Sequence, residues 1–295
     1  MDRIYYIGNR RRFYDMMETE SLAAIFAGEE LWKTGDEYYP FFADRNFVYL
    51  TGLKCRSAVL LAAKAANGQV SERLYLLPPD AQAERWTGVR AKPHEAAEKS
   101  GIEDIRFLNR FEDDFSRLAA SGEYANLYLD LYRFDGNQPD RPSHRLQIKN
   151  AAELTGLLRL IKQPCEIEAL RRAEEKTRAG ILAMMRNSYP GKFEYQYKAD
   201  FDHALGQFGP EGAGFPSIIS AGKNNFCIHY YSYTGRAQEG DLILNDVGAQ
   251  HDNMITDVSR AWPCGGKFTD RQKLLYNCVY ATSEYAFSKI KPGMP

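Results

Sequence analysis

A chain of 295 residues is long for one hydrophobic core, since cores stop growing at roughly 250 to 300 residues, and comfortable for two. Its 38 basic and 39 acidic side chains nearly cancel, to a net charge of −1, which removes electrostatic attraction to nucleic acid or to an anionic membrane from the expected functions. Five scattered cysteines (Cys55, Cys165, Cys227, Cys264, Cys278) form no C-x-x-C pair, which excludes a zinc ribbon or dithiol motif and fits a reducing cytoplasm.

At the N-terminus a basic cluster, Arg10 to Arg12, is followed by no apolar segment of signal-peptide type, and it reads as a solvated helix face. No window approaches the roughly 18 apolar residues of a membrane span, so a cytoplasmic protein without a membrane partner is expected. Four short apolar runs follow and read as strands: Leu22 to Ala27, Phe47 to Leu50, Ala58 to Ala63, and Leu74 to Leu77 ended by Pro78 and Pro79. Helical stretches are predicted around Pro93 to Lys99 and Phe111 to Ala120, then a strand over Asn126 to Phe134. Strands alternating with helices argue for an α/β domain. From Asp135 to Ser143 the composition can neither continue a strand nor start a helix, and the domain join is placed just after it, giving domains 1–150 and 151–295.

In the second half, Ile167, Leu170, Ala173, Thr177 and Ile181 recur at helical spacing, predicting a long helix over Glu166 to Asn187 with Pro164 near its start. Gly209 to Gly214 lacks the Lys-Ser/Thr of a phosphate cradle and reads as a loop. Strand-like runs follow at Phe215 to Ser220, Leu242 to Gly248 and Met254 to Trp262. The last two flank a polar turn, Gln250 to Asn253. A hairpin centred between His251 and Asp252 would set Asp246 directly across from Asp257, with Cβ atoms about 4.5 to 5.5 Å apart. Two acidic residues so placed are more often solvated carboxylates on an exposed face. Here Asp246 ends the apolar run Leu242 to Leu244, where a lone charge is costly, and a divalent cation would offset the repulsion.

The stretch Asp246-Val247-Gly248, followed eleven positions after Asp246 by Asp257-Val258-Ser259-Arg260, resembles the signature of the pita-bread metallopeptidases, the relatives of methionine aminopeptidase, prolidase and Xaa-Pro aminopeptidase. Phe215 to Asn224 resembles the family's substrate-site strand. Ile228-His229-Tyr230, with His229 seventeen positions before Asp246, resembles its His-Tyr element. Leu160 to Ile167 looks like the start of its catalytic domain. Tyr39 to Phe41, Asn46 to Gly52 and Glu84 to Arg90 resemble the N-terminal domain of the Xaa-Pro aminopeptidases (aminopeptidase P) in particular, so the likeness spans nearly the whole chain. It implies an α/β N-terminal domain of the creatinase/prolidase type, followed by the first part of an α+β pita-bread catalytic domain. Asn253-Met254 stands where relatives often carry Gly-Tyr, a change in the turn that leaves the carboxylates in place.

The resemblance implies a hydrolase that releases the N-terminal residue from proline-containing Xaa-Pro peptides. Asp246 would bind one of two divalent metal ions and Asp257 would bridge both. The ions are most often manganese (Mn2+), with cobalt or zinc as alternatives. His229 would contact substrate and stabilise the tetrahedral intermediate, although a lone histidine is more often a core residue satisfied by a carbonyl. His203 reads as helix surface, His251 as a turn residue, and His94 and His144 as solvated. Core packing is the simplest account of most residues in the clusters Tyr38, Tyr39, Phe41, Phe42 and Tyr230, Tyr231, Tyr233. The family's site has five protein ligands, the last three a His and two Glu beyond the second Asp, and the sequence ends at Pro295 before them; little or no peptidase activity is expected of this stretch alone. Homo-oligomerisation is implied by resemblance only. Competing readings are a prolidase, creatinase-like chemistry without metal, and a non-catalytic binding module.

Overall fold

In the computed structural model, which describes residues 1–131 and 146–294, the apolar run from Leu22 becomes strand β1 (Ser21–Phe26) inside a six-stranded sheet. After helix α1 (Arg3–Met16) and β1 come a short exposed ribbon, β2 (Trp32–Thr34) and β3 (Glu37–Tyr38), then helix α2 (Arg45–Thr51). Strands β4 (Val59–Lys64) and β5 (Val70–Leu76) form an antiparallel hairpin. Helices α3 (Ala81–Thr87) and α4 (Pro93–Ser100) lead to β6 (Ile105–Phe107), α5 (Phe111–Ala120) and β7 (Asn126–Leu129); β8 (Gln147–Asn150) and α6 (Ala151–Leu160) follow. The sheet order is β6-β5-β4-β1-β7-β8, with β1 antiparallel to β4 and parallel to β7.

Alternate residues of the central strands serve opposite faces. Ala23, Ile25, Leu60, Ala62 and Leu74 pack with Tyr6 and Phe13 of α1, Phe47 and Leu50 of α2, and Ala151 of α6. Leu22, Ala24, Leu61, Tyr75 and Leu127 pack with Phe111 and Phe115 of α5. A sheet clad by helices on both faces requires strands that are apolar throughout, which is why these runs show no alternation.

Three expectations are corrected here. Phe47 to Leu50 is helix, not strand: Asp44 caps it by accepting from Phe47 N at 2.8 Å, and Gly52 ends it in the left-handed region at φ 76°. A short helix buried from Phe47 to Thr51 shows the same unbroken apolar run as an interior strand. A Cβ at Gly52 would stand 2.5 Å from the Tyr6 ring, so helix end and helix packing both demand glycine. Arg10 is not solvated but 2% exposed; its guanidinium donates to both oxygens of Glu72 and to the carbonyls of Leu50 and Ser100. The aromatic clusters are not mainly core: Tyr38, Tyr39, Phe42 and Tyr231 are exposed, because they lie on the outer ribbon and in loops.

The chain divides into two compact units, Met1–Gln163 and Pro164–Pro295, so α6 belongs with the first sheet, on which Ala151 packs. Residues 132–134 at the end of the expected strand, the composition break at 135–143 and His144 lie outside the described residues. His94 and His203 are exposed on α4 and near the end of helix α8 (Glu194–Gly206). All five cysteines are free thiols. No helix among the described residues is long and apolar enough to cross a membrane.

The second unit opens with α7 (Pro164–Arg186) and α8, packed so closely that a Cβ on Gly180 would stand 2.4 Å from the Phe201 ring. Both helices cover one face of an antiparallel sheet ordered β13-β10-β9, built from β9 (Ile218–Ala221), β10 (Leu242–Val247) and β13 (Val258–Pro263). Ile219, Ile243, Val247 and Trp262 join Ile181, Met184, Tyr197 and Phe201 in its core. The expected strand at Phe215 starts only at Ile218, after Pro216, which has no N–H for a ladder. The expected strand Met254 to Trp262 divides into β12 (Met254–Ile255), paired with β11 (Gln250–His251), and β13. Helix α9 (Asp270–Lys289) starts at a Thr269–Gln272 capping box and has no buried residue; Leu274, Leu275, Val279 and Phe287 are exposed along it.

Candidate metal centre

Strand β10 alternates half-buried and buried residues, so Leu242, Leu244 and Asp246 share the face opposite the helices, while Ile243, Asn245 and Val247 face them. The turn that returns the chain is centred between Asp252 and Asn253, both left-handed (φ 48° and 71°), with His251 paired to Met254 and Gln250 to Ile255. Two residues with positive φ make the hairpin turn whose twist suits the flanking strands, and Asn253 adopts this conformation where the family motif often carries glycine.

This centre lies one residue beyond the expected one and corrects the register: Asp246 stands opposite Ser259, not Asp257. Moving the centre by a whole residue moves each partner by two, which preserves the face. Asp257 is therefore diagonal to Asp246 on the same side of the sheet. The two carboxyl groups touch, and hydrogen bonding to Asp246, then partial burial, then the Asp246 charge push the Asp257 carboxyl above the ordinary carboxylate range. The Ser259 hydroxyl donates to Asp246 Oδ1 at 2.8 Å. The same register sets Gly248 opposite Asp257, where the strands approach so closely that a Cβ on Gly248 would lie 1.6 Å from the Thr256 carbonyl oxygen. Two carboxylates in contact, one of them denied easy ionisation by the other, form a donor set suited to a divalent cation. Among the described residues no group of three His, Cys, Asp or Glu gathers to complete a site.

The hairpin tip is held by a charged cluster. Lys176 Nζ of α7, 9% exposed, lies 3.2 Å from Glu211 Oε2 and 3.1 Å from both the Gln250 carbonyl and His251 Nδ1. His251 thus flanks the turn and belongs to this cluster. A cavity of about 270 Å3 between α7 and β13, lined by Ile181, Met185, Val258 and Arg260, opens on the helix-covered face and is separate from the carboxylates.

His229 lies in an exposed turn, its ring stacked on Tyr231 with centroids 6.1 Å apart. No hydrogen bond joins it to Asp246 or Asp257 among the described residues. The segment that carries it is pinned to the Asp246 face at its base: Ser220, which pairs with Leu244, donates to Asn225 Oδ1 at 2.7 Å, and Asn225 Nδ2 donates to the Leu242 carbonyl at 2.9 Å. A fully buried carboxylate, Glu194, accepts from Ala221 N, Asn224 Nδ2, the Tyr230 hydroxyl and Gly235 N. Nothing in its sequence context marks it, because a glutamate in the first turn of a helix is ordinary dipole chemistry.

A model of the aminopeptidase P N-terminal domain matches residues 6–128, and one of metallopeptidase family M24 matches residues 168–295. A solved Bacillus anthracis structure, provisionally assigned as an aminopeptidase P, superposes with a TM-score of 0.93 at 31% identity, covering 100% of this chain and 73% of that one. The chain belongs to the aminopeptidase P family of M24 metallopeptidases. Within that family it is 28% identical to the Xaa-Pro aminopeptidase of Escherichia coli over 96% of this chain and 67% of the relative. Zinc-substituted E. coli aminopeptidase P, solved with product, superposes with a TM-score of 0.91 at 25% identity over 99% of this chain and 69% of that one. The chain therefore spans about two thirds of the length of these aminopeptidase P relatives, and its two units correspond to the N-terminal domain and to part of the pita-bread catalytic domain.

Proposed function

We propose that the protein of which this chain is part releases the N-terminal residue from peptides with proline in second position, by metal-dependent hydrolysis. The observation that carries this is the contact of Asp246 with Asp257 on the sheet face away from the helices, a pair of acidic groups whose mutual repulsion a cation relieves. Family membership supplies the reaction class, and the likeness to the Xaa-Pro aminopeptidase of E. coli supports the choice of substrate. Asp246 and Asp257 would hold the metal, Mn2+ by preference over cobalt or zinc, since hard oxygen donors suit it. Bound as a pair, such ions lower the pKa of a water and polarise a scissile carbonyl.

The other residues have their own work. Ser259 holds Asp246 in place through its hydroxyl. His229, whose ring nitrogens make no hydrogen bond among the described residues, offers an N–H to charge developing on the carbonyl oxygen of a bound peptide.

The test is hydrolysis by the full-length protein of an Xaa-Pro-Yaa tripeptide and an Xaa-Pro dipeptide, in Mn2+ and in chelator. Metal-dependent release of the first residue of the tripeptide supports the reading. Cleavage of the dipeptide alone would make it a prolidase, and equal turnover in chelator, or none with metal, would overturn it.

A further inference from the structure

Beyond the end of β9 at Ala221, the residues from Gly222 to Gly235 form no strand, and their middle is open to solvent: Phe226 is 91% and Ile228 83% exposed, and His229 beside them is exposed too. A segment so exposed has little packing of its own to fix where an imidazole stands. Its two ends, however, meet at one point. Glu194 Oε1 accepts from Ala221 N at 2.8 Å and Asn224 Nδ2 at 2.9 Å, at the start of the segment. Glu194 Oε2 accepts from the Tyr230 hydroxyl at 2.7 Å and Gly235 N at 2.6 Å, beyond His229. Asn224 Nδ2 also reaches the Tyr230 oxygen at 3.0 Å, closing the loop on itself.

This carboxylate is 0% exposed and pairs with no cation among the described residues. Burying a charge is costly unless hydrogen bonds and dipoles replace water, and here four donors and the N-terminal end of α8 do so. A structural anchor could be neutral and cheaper. The geometry needs an acceptor on both oxygens at once, which a carboxylate supplies and a carboxamide cannot.

We propose that Glu194 is the positioning residue for His229: it clamps both ends of the segment 221–235 and so fixes the imidazole over the Asp246 face. This rests on the reading of His229 given under Proposed function. Glu194→Gln turns one acceptor oxygen into an N–H donor facing two donors, and releases one end of the clamp while keeping the shape of the side chain.

The experiment compares wild type, Glu194→Gln, His229→Ala and the double variant of the full-length protein, with Mn2+ and an Xaa-Pro-Yaa tripeptide. Removing a donor to a developing oxyanion costs about 100-fold or more in kcat, and misplacing one by about 1 Å costs up to about 100-fold. The expected result is a loss of about 100-fold for His229→Ala and of about 10- to 100-fold for Glu194→Gln, with the double variant no worse than His229→Ala. Equal losses from Glu194→Gln in both backgrounds, or no loss in the wild-type background, would overturn the proposal while leaving the role of His229 standing. Wild-type turnover by His229→Ala would instead overturn the role of His229, and the positioning role with it. Amide hydrogen exchange over 222–235 reads the clamp without catalysis: faster exchange in Glu194→Gln supports it, and unchanged exchange overturns it. Tyr230→Phe, which removes one bond of the four, gives the same non-additive pattern at smaller amplitude if Glu194→Gln does not fold.

Discussion

Ser259 stands directly across the sheet from Asp246 and donates its hydroxyl to Asp246 Oδ1 at 2.8 Å. The bond fixes the orientation of a carboxylate that the neighbouring Asp257 would otherwise repel. Groups that orient metal ligands in this way are worth about 10- to 100-fold in metal affinity. Ser259→Ala in the full-length protein is expected to weaken Mn2+ binding by about that factor, measured by calorimetric titration, and Ser259→Thr to restore it.

Asp257 is held above the ordinary carboxylate range, mainly by its hydrogen bond to Asp246. A raised folded-state pKa on an acid means that ionisation near neutral pH costs stability, which returns as pH falls through the raised value. In chelator at pH 7, Asp257→Asn should melt no lower than wild type. Addition of Mn2+ should raise the melting temperature of wild type and not of the variant.

Gly248 has the Thr256 carbonyl where a Cβ would be, at 1.6 Å. Both groups are backbone-fixed, so the strands must part to admit a methyl group. Gly248→Ala should cost about 3 kcal/mol in denaturant unfolding of the second unit, at the upper end for overpacking, and should lower metal affinity in parallel.

Arg10 is 2% exposed, with Glu72 and two carbonyls around it. Arg10→Ala leaves those acceptors unanswered, as breaking a buried pair does, and should destabilise the first unit by about 3 kcal/mol or more in urea unfolding. An exposed neighbour supplies the control: Arg11→Ala should change stability by less than about 0.5 kcal/mol.

Burial pushes the Cys55 thiol from 9.0 up to about 11, and burial also pushes the Tyr14 hydroxyl up. Both are neutral acids that ionise sooner in the unfolded chain, so their contribution is complete below pH 9 and is lost as pH rises from there. Melting temperature should fall between pH 9 and 11, and less steeply in Cys55→Ala than in wild type. At pH 8 iodoacetamide should label exposed Cys165, Cys227 and Cys278 ahead of Cys55.

Several elements were legible in the sequence: β1 and β4 as unbroken apolar runs bounded by turn residues, α5 as a helical stretch and α7 as an apolar stripe at helical spacing. Phe47 to Leu50 was not, because a helix buried all round loses its polar stripe, and only Asp44 and Gly52 mark its ends. Arg10 was misread for a related reason, since a sequence shows a charge without showing the Glu72 that lies 62 positions away and answers it. The shared face of Asp246 and Asp257 was readable from parity alone. Their pairing was not, because it depends on which two residues of Gln250 to Asn253 take positive φ. Glu194 carried no signal, since its four donors are scattered from Ala221 to Gly235.

The hairpin between β10 and β13 also limits how chains of this kind can differ in length. Two residues gained or lost at the Asp252–Asn253 tip leave both acids on one side, and the pair survives. A single gain or loss absorbed by the ladder rotates Asp257 to the packed side, toward Thr177 and Ile181, where it could not be solvated. Tip insertions that persist through descent should therefore come in even numbers, or carry a bulge that restores the count.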